Sequence, residues 1–151
     1  MTVSGTVTSY NSNTDPVTLQ LIEKGTSGAA YDAVVYGNSA SYSIEDVLPG
    51  TYTLKAMKAG HITAEYTLSV GSENVTRNVE LYPESTSGVL GDVNGDGLVT
   101  LKDILILRKV VAGVATLPDS YLANADVNRD GYITLKDILI LRRVVAGVAT
   151  L

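Results

Sequence analysis

Along the first eighty positions apolar residues alternate with polar ones, and after position 100 they recur every three to four. Residues 3–9, 17–23, 33–36, 41–46, 51–56, 63–70 and 76–82 are strand-length runs rich in Val, Thr and Tyr, separated by Gly, Asn, Ser and Pro. A period of two predicts half-buried strands, and seven at this spacing predict an all-β sandwich over residues 1–82. Residues 83–88 (PESTSG) have no apolar period and predict a linker. Beyond it the period lengthens. At about 100° per residue, Ile104, Ile106, Leu107, Val110 and Val111 fall in one broad arc, as do Ile138, Ile140, Leu141, Val144 and Val145. Residues 89–151 are therefore expected to form a small all-α unit in which two helices bury these arcs together. The opposite arcs are not polar throughout. One carries Leu101, Leu105 and Ala112 beside Lys102, Arg108 and Lys109; the other carries Leu135, Leu139 and Ala146 beside Lys136, Arg142 and Arg143. Exposed leucines ringed by cations predict a protein-docking face.

Both helices belong to a duplication. Residues 91–117 and 125–151 are offset by 34 positions and differ at five of 27: Gly91/Ala125, Gly95/Arg129, Leu98/Tyr132, Val99/Ile133 and Lys109/Arg143. Each copy opens with a twelve-position pattern of hard oxygen donors. In the first, Asp92, Asn94 and Asp96 stand at positions one, three and five, and Gly97 supplies the turn. The Leu98 carbonyl stands at seven, Thr100 at nine through a water, and Asp103 at twelve. The second repeats it with Asp126, Asn128, Asp130, Gly131, Tyr132, Thr134 and Asp137. Calcium takes six to eight oxygens at about 2.3–2.6 Å, and such a loop supplies them locally. Two complete copies, each leading into a helix, predict two Ca²⁺ sites. The pattern departs from an EF-hand: position twelve is Asp rather than Glu, and no entering helix is evident, which leaves a loop followed by one helix, twice. The only methionines, Met1 and Met57, lie outside the repeats, so a Met-rich sensor groove is not expected.

Two calcium-loop–helix repeats with DVNGDG and DVNRDG openings resemble a dockerin module of a bacterial cellulosome, over residues 89–151. The resemblance implies that calcium is needed for the fold and that the two helices bind a cohesin module on a scaffoldin or cell-surface anchoring protein. Family recognition positions fall on Leu101, Lys102, Leu135 and Lys136, and on Arg108, Lys109, Arg142 and Arg143. Many enzyme-borne dockerins carry small hydroxyl residues where this chain has Leu-Lys. In the first domain, YSIEDVLPGTYTLKAMKAGH resembles the carboxypeptidase-regulatory and Cna-B-like family. Such a domain placed directly before a dockerin resembles the X-module of an X-dockerin pair, which assists the complex without catalysis. X-dockerins often end scaffoldins, and the second repeat runs flush to Leu151, which favours a scaffoldin over an enzyme as parent. Secretion and attachment to the cell surface through the partner are implied by the same resemblance. Because both copies contain LKDILILR, a half-turn of the module is expected to present nearly the same face twice.

Charge sharpens the partner. The first ninety residues hold nine acids and four bases; the remaining 61 hold seven Asp and seven Lys or Arg, and six of those Asp are loop ligands. With the loops filled, only Asp119 is left to oppose a basic face, so an acidic protein partner is expected rather than nucleic acid. Cys is absent, and no apolar run approaches the roughly 18 residues of a membrane span. The one His, His61, is expected at a surface or half-buried position, and no Ser or Thr sits in a nucleophile-elbow context, so no enzyme is expected. With no Trp or Phe, and Tyr alternating with small residues in the strands, polysaccharide contact is expected only indirectly. The alternative is a calcium-stabilised carbohydrate- or cell-wall-binding module.

Overall fold

A computed structural model describes residues 1–10, 14–84 and 88–151. The chain divides into two compact units, Met1–Glu84 and Ser85–Leu151. Of the expected linker, residues 85–87 lie outside the described residues.

The first unit is a β-sandwich. Its strands are β1 (Val3–Ser9), β2 (Val17–Glu23), β3 (Ala29–Val35), β4 (Ser39–Ile44), β5 (Gly50–Met57), β6 (Ala64–Val70), β7 (Val75–Thr76) and β8 (Val79–Leu81). One sheet has the order β3-β2-β5-β6, antiparallel throughout. In the other, β1 pairs antiparallel with β4 and parallel with both β7 and β8. Period-two alternation sends Val17, Leu19 and Leu21 of β2 and Tyr52, Leu54 and Ala56 of β5 inward, where they meet Val3, Val7, Tyr42, Ile44, Val79 and Leu81 of the facing sheet in one core.

Several sequence expectations are corrected here. The strand expected at 33–36 is Ala29–Val35, because Tyr31 and Ala33 pair with Leu21 and Leu19. The run expected at 41–46 lies at Ser39–Ile44, with Asp46 in a left-handed turn (φ 56°). The single strand expected at 76–82 is two. Between them the Arg77 carbonyl lies over Gly5, where any Cβ would overlap it. Tyr42 Oη donates to that carbonyl at 2.6 Å, and Asn78 Oδ1 takes the N–H of Thr6 at 3.1 Å in place of a ladder carbonyl. Only glycine allows so close a backbone approach. His61 is buried rather than on the surface or half-buried, at 4% exposure. It forms a bridge with Pro83, and its Nε2 lies 2.7 Å from the Tyr10 carbonyl and its Nδ1 3.1 Å from that of Ala59.

The second unit contains α1 (Leu101–Val111), α2 (Asp119–Ala125) and α3 (Leu135–Val145). Helices α1 and α3 pack together, and Ile104, Ile106 and Leu107 of the first and Ile138 and Leu141 of the second are buried. Ile140, Val110, Val111, Val144 and Val145 are half-buried at the margins. The short helix α2 was not expected: its seven residues bury Tyr121, Asn124 and Ala125 at helical spacing and lead directly into the second loop.

Candidate metal centres and docking face

Each loop is built on its helix N-terminus. Thr100 is the N-cap of α1, its Oγ1 accepting from the N–H of Lys102 at 3.2 Å, while Asp103 Oδ2 accepts from the N–H of Thr100 at 2.7 Å. This reciprocal box fixes the Asp103 carboxylate, and its Oδ1 reaches back to the N–H groups of Val93 at 2.8 Å and Asn94 at 3.1 Å. Asp92 gathers the middle of the loop: Oδ1 accepts from Gly95 and Asp96, and Oδ2 accepts from Gly97 at 2.9 Å. Asn94 Oδ1 takes the N–H of Asp96, and Asp96 Oδ1 that of Leu98, each at 2.9 Å. The second loop repeats this. Asp126 takes Asp130 and Gly131, Asn128 takes Asp130, Asp130 takes Tyr132, and Asp137 takes Asn128 and Thr134. Thr100 and Thr134, expected as ninth-position ligands, serve as helix caps, their hydroxyls also donating to Asp103 and Asp137 at 3.3 and 3.4 Å.

The donors are carboxylate, amide, hydroxyl and peptide oxygens, with no Cys in the chain and its one His in the other unit, which suits a hard divalent cation rather than a transition metal. Among the described residues no three His, Cys, Asp or Glu side chains form a group that could hold a metal, so a cation in either loop would also need the amide, hydroxyl and peptide oxygens. Asp92, Asp103 and Asp137 are fully buried. Burial pushes the Asp103 carboxyl above its ordinary value, the N–H groups of Thr100, Val93 and Asn94 pull it back, and the charge of Asp92 raises it further. Asp130, at the open rim, is held below the ordinary value, first by the N–H of Tyr132 and then by Asn128 and Lys136.

The two loops are not equally covered. Asn124 of α2 donates from Nδ2 to the Asp92 carbonyl at 3.2 Å, and its own carbonyl accepts from the N–H of Gly91 at 2.8 Å. The Tyr121 ring lies against Gly95, where a Cβ would stand 2.5 Å from Oη. Burial pushes the Tyr121 hydroxyl up to about 12, with the charge of Asp92 adding to it. The first loop is thereby roofed from Gly91 to Gly95, while Arg129, Asp130 and Gly131 of the second are exposed. One of the five differences between the copies follows: Gly95, at φ +77°, has the Tyr121 ring against it, whereas Arg129 points to solvent. At Gly91, with φ +89°, a Cβ would instead meet the Leu141 and Leu151 side chains, while its counterpart Ala125 ends α2.

All twelve residues expected on the docking face are exposed: Leu101, Lys102, Leu105, Arg108, Lys109 and Ala112 on α1, and Leu135, Lys136, Leu139, Arg142, Arg143 and Ala146 on α3. Leu101 and Leu135 are 68% and 64% open. Sequence reasoning passed over the Leu98 and Tyr132 side chains, considered there only for their carbonyls, and Val114 and Val148 in the turns after α1 and α3; all four are exposed. Leu98 and Tyr132 directly follow the loop glycines Gly97 and Gly131, where a surface position is ordinary, so the signal was present for the first two.

Of the nine tyrosines only Tyr36 and Tyr132 are strongly exposed; Tyr31 packs edge-on against Tyr52 at 6.0 Å, Tyr10 lies 5.0 Å from Tyr82, and Arg77 covers the Tyr66 ring at 4.2 Å. Most of the tyrosines of the described residues are thus spent on packing within the sandwich.

No protein of curated function matches the chain. Among solved structures, the chain is similar to one in an N-terminal interface mutant of a type II cohesin–X-dockerin complex from Acetivibrio cellulolyticus, at 28% identity over 95% of this chain and 94% of that one, with a TM-score of 0.43. A C-terminal interface mutant of the complex from the same organism matches at 26% identity with the same coverage and TM-score. Residues 90–146 match the dockerin type I domain. Residues 1–84, more than half of the chain, match the second β-sandwich domain of the NOMO1-like BOS complex subunit, so the chain belongs to that family through its first unit and carries a type I dockerin domain in its second.

Proposed function

We propose that this chain is a non-catalytic, calcium-dependent docking protein whose second unit binds a cohesin module and so anchors its parent, outside the cell, into a cellulosome. The observation that carries this reading is the exposure, on two helices whose other sides form the core, of Leu101, Leu105, Leu135 and Leu139 among Lys102, Arg108, Lys109, Lys136, Arg142 and Arg143. An isolated domain gains nothing from leucines in water, and an apolar centre with a cationic rim fits a partner of opposite relief and charge. Two Ca²⁺ ions, one per loop, would offset the repulsion among Asp92, Asp96 and Asp103 and among Asp126, Asp130 and Asp137, fixing the start of each docking helix. The sandwich stands as the X-module of the pair. Its only His has both ring nitrogens against backbone carbonyls, a structural placement rather than that of an accessible base.

The test is a pull-down of the full chain with a panel of type I and type II cohesin modules, in calcium and in excess chelator. Capture by at least one cohesin in calcium only is expected. Capture by insoluble polysaccharide with no cohesin bound would overturn the reading in favour of a carbohydrate-binding module.

A further inference from the structure

The near-identity of the two helices suggests interchangeable docking faces, yet the surfaces beside those helices differ. Between the copies, the substitutions that change exposed side-chain chemistry lie in the loops, at Gly95/Arg129 and Leu98/Tyr132. In the first repeat Gly95 is buried beneath Tyr121 and contributes no surface, which leaves Leu98. In the second, Arg129 projects from a left-handed turn (φ 58°) and Tyr132 is 73% exposed. These residues are continuous with the docking helix. Lys136 Nζ lies 3.7 Å from Asp130 Oδ2, and the other oxygen of Asp130 accepts the N–H of Tyr132 at 3.0 Å. One carboxylate thus ties Tyr132 to the docking residue Lys136, with Arg129 next in the chain.

We propose that the two faces are unequal and that Tyr132, with Arg129 beside it, makes the partner choose the face of α3. The inference rests on the docking function proposed above. Tyr and Arg are the side chains that most often anchor protein interfaces, because each combines a large apolar or planar area with a polar tip. Tyr132 adds that area at the end of a leucine row. Arg129 adds a cation to a unit that already faces its partner with Lys and Arg and has only Asp119 as an acid outside the loops, so the partner is an apolar protein surface with an acidic rim.

The test uses the full chain, in calcium, with whichever cohesin of the panel binds most tightly. Leu101→Asp with Lys102→Asp is compared with Leu135→Asp with Lys136→Asp, each in the parent and in a Tyr132→Leu background. Leu is the residue the first repeat carries at that place, so the change is one the fold already accommodates. In the parent, the α3 pair should cost about tenfold more affinity than the α1 pair. With Tyr132→Leu the two losses should come within about threefold of each other, and Leu98→Tyr should strengthen binding through α1. Equal losses in the parent, or a difference that Tyr132→Leu leaves untouched, would overturn the inference while leaving the docking function standing. Absence of binding to every cohesin would overturn both. A dimer of the chain alone in sedimentation, abolished by Tyr132→Leu, would assign the surface to a second copy instead.

Discussion

Replacing Gly95 with Ala tests whether α2 roofs the first loop. The new methyl would stand 2.5 Å from Tyr121 Oη, 2.8 Å from its Cε1 and 3.0 Å from its Cζ, all inside ordinary contact distance. Tyr121 is fully buried, so its ring has no free space into which to swing. Two costs add. An L-residue at φ +77° costs roughly 1–2 kcal/mol, and displacing a packed ring costs about 1–3 kcal/mol more. For a unit of this size each kcal/mol moves Tm by about 4–8 °C, so the low end of the sum predicts a fall of at least about 8 °C. The control is the same place in the other copy. Arg129 carries the left-handed strain with no roof above it, and Arg129→Gly relieves about 1–2 kcal/mol while adding roughly 0.5–1 kcal/mol of unfolded-chain entropy. Its Tm should hold or rise by a few degrees. Helical circular dichroism of the full chain in saturating calcium reads both. Adding Tyr121→Phe to Gly95→Ala removes the nearest atom and should recover part of the loss. A Gly95→Ala melt within about 2 °C of the parent would refute the packing argument.

Excess chelator should abolish most of the helical signal and spare the β-sheet signal, since six carboxylates in two loops repel one another around a small core; helices unchanged in chelator would contradict the metal assignment. Asp92→Ala should destabilise more than Asp126→Ala in thermal melts at saturating calcium, because Asp92 is fully buried and accepts three loop N–H groups, whereas Asp126 is half-buried. Stability should also fall on the alkaline side. Burial raises the Tyr42 and Tyr121 hydroxyls to about 12, so between pH 10 and 12 the unfolded chain has released protons that the folded chain keeps, and stability declines as pH rises through that window. Denaturant midpoints at pH 8, 10 and 11 should show the decline, and Tyr42→Phe should lessen it for the sandwich, where the raised Tyr10 and Tyr52 hydroxyls also contribute.

The parts legible in the sequence are those whose cause is local. Twelve consecutive residues hold every donor of a loop, so Asp92 to Asp103 could be read without the fold, and in the structure their oxygens and N–H groups do turn toward one another. The outward arc follows from 100° per residue alone, and Leu101, Leu105, Leu135 and Leu139 all prove exposed. What escaped depends on distant partners. Nothing near residues 76–82 announces that Gly5, on another strand, admits the Arg77 carbonyl and splits the run in two. His61 is buried because Tyr10 and Pro83 come to it from opposite ends of the first unit. Helix α2 has a helical burial rhythm, but in seven residues that rhythm is too short to stand out from a loop, and helices of this length form through tertiary packing.

That short helix determines how far a duplicated sequence can yield a duplicated structure. A loop–helix repeated twice could pack with two-fold symmetry if nothing else filled the space beside the loops. One connecting segment cannot satisfy that symmetry, because it can lie over only one loop. Here it lies over the first: Asn124 bonds the backbone of Gly91 and Asp92, Tyr121 packs on Gly95, and the second loop stays open. Beneath the roof, positions that need positive φ and close contact keep Gly; in the open, the equivalent position carries Arg129, and the loop tip carries Tyr132. The LKDILILR segments, which begin helices that pack on each other, remain identical. The divergence at Gly95/Arg129 therefore tracks the one element that breaks the symmetry, and a partner able to choose between the faces would do so where the copies differ at the surface, at Arg129 and Tyr132.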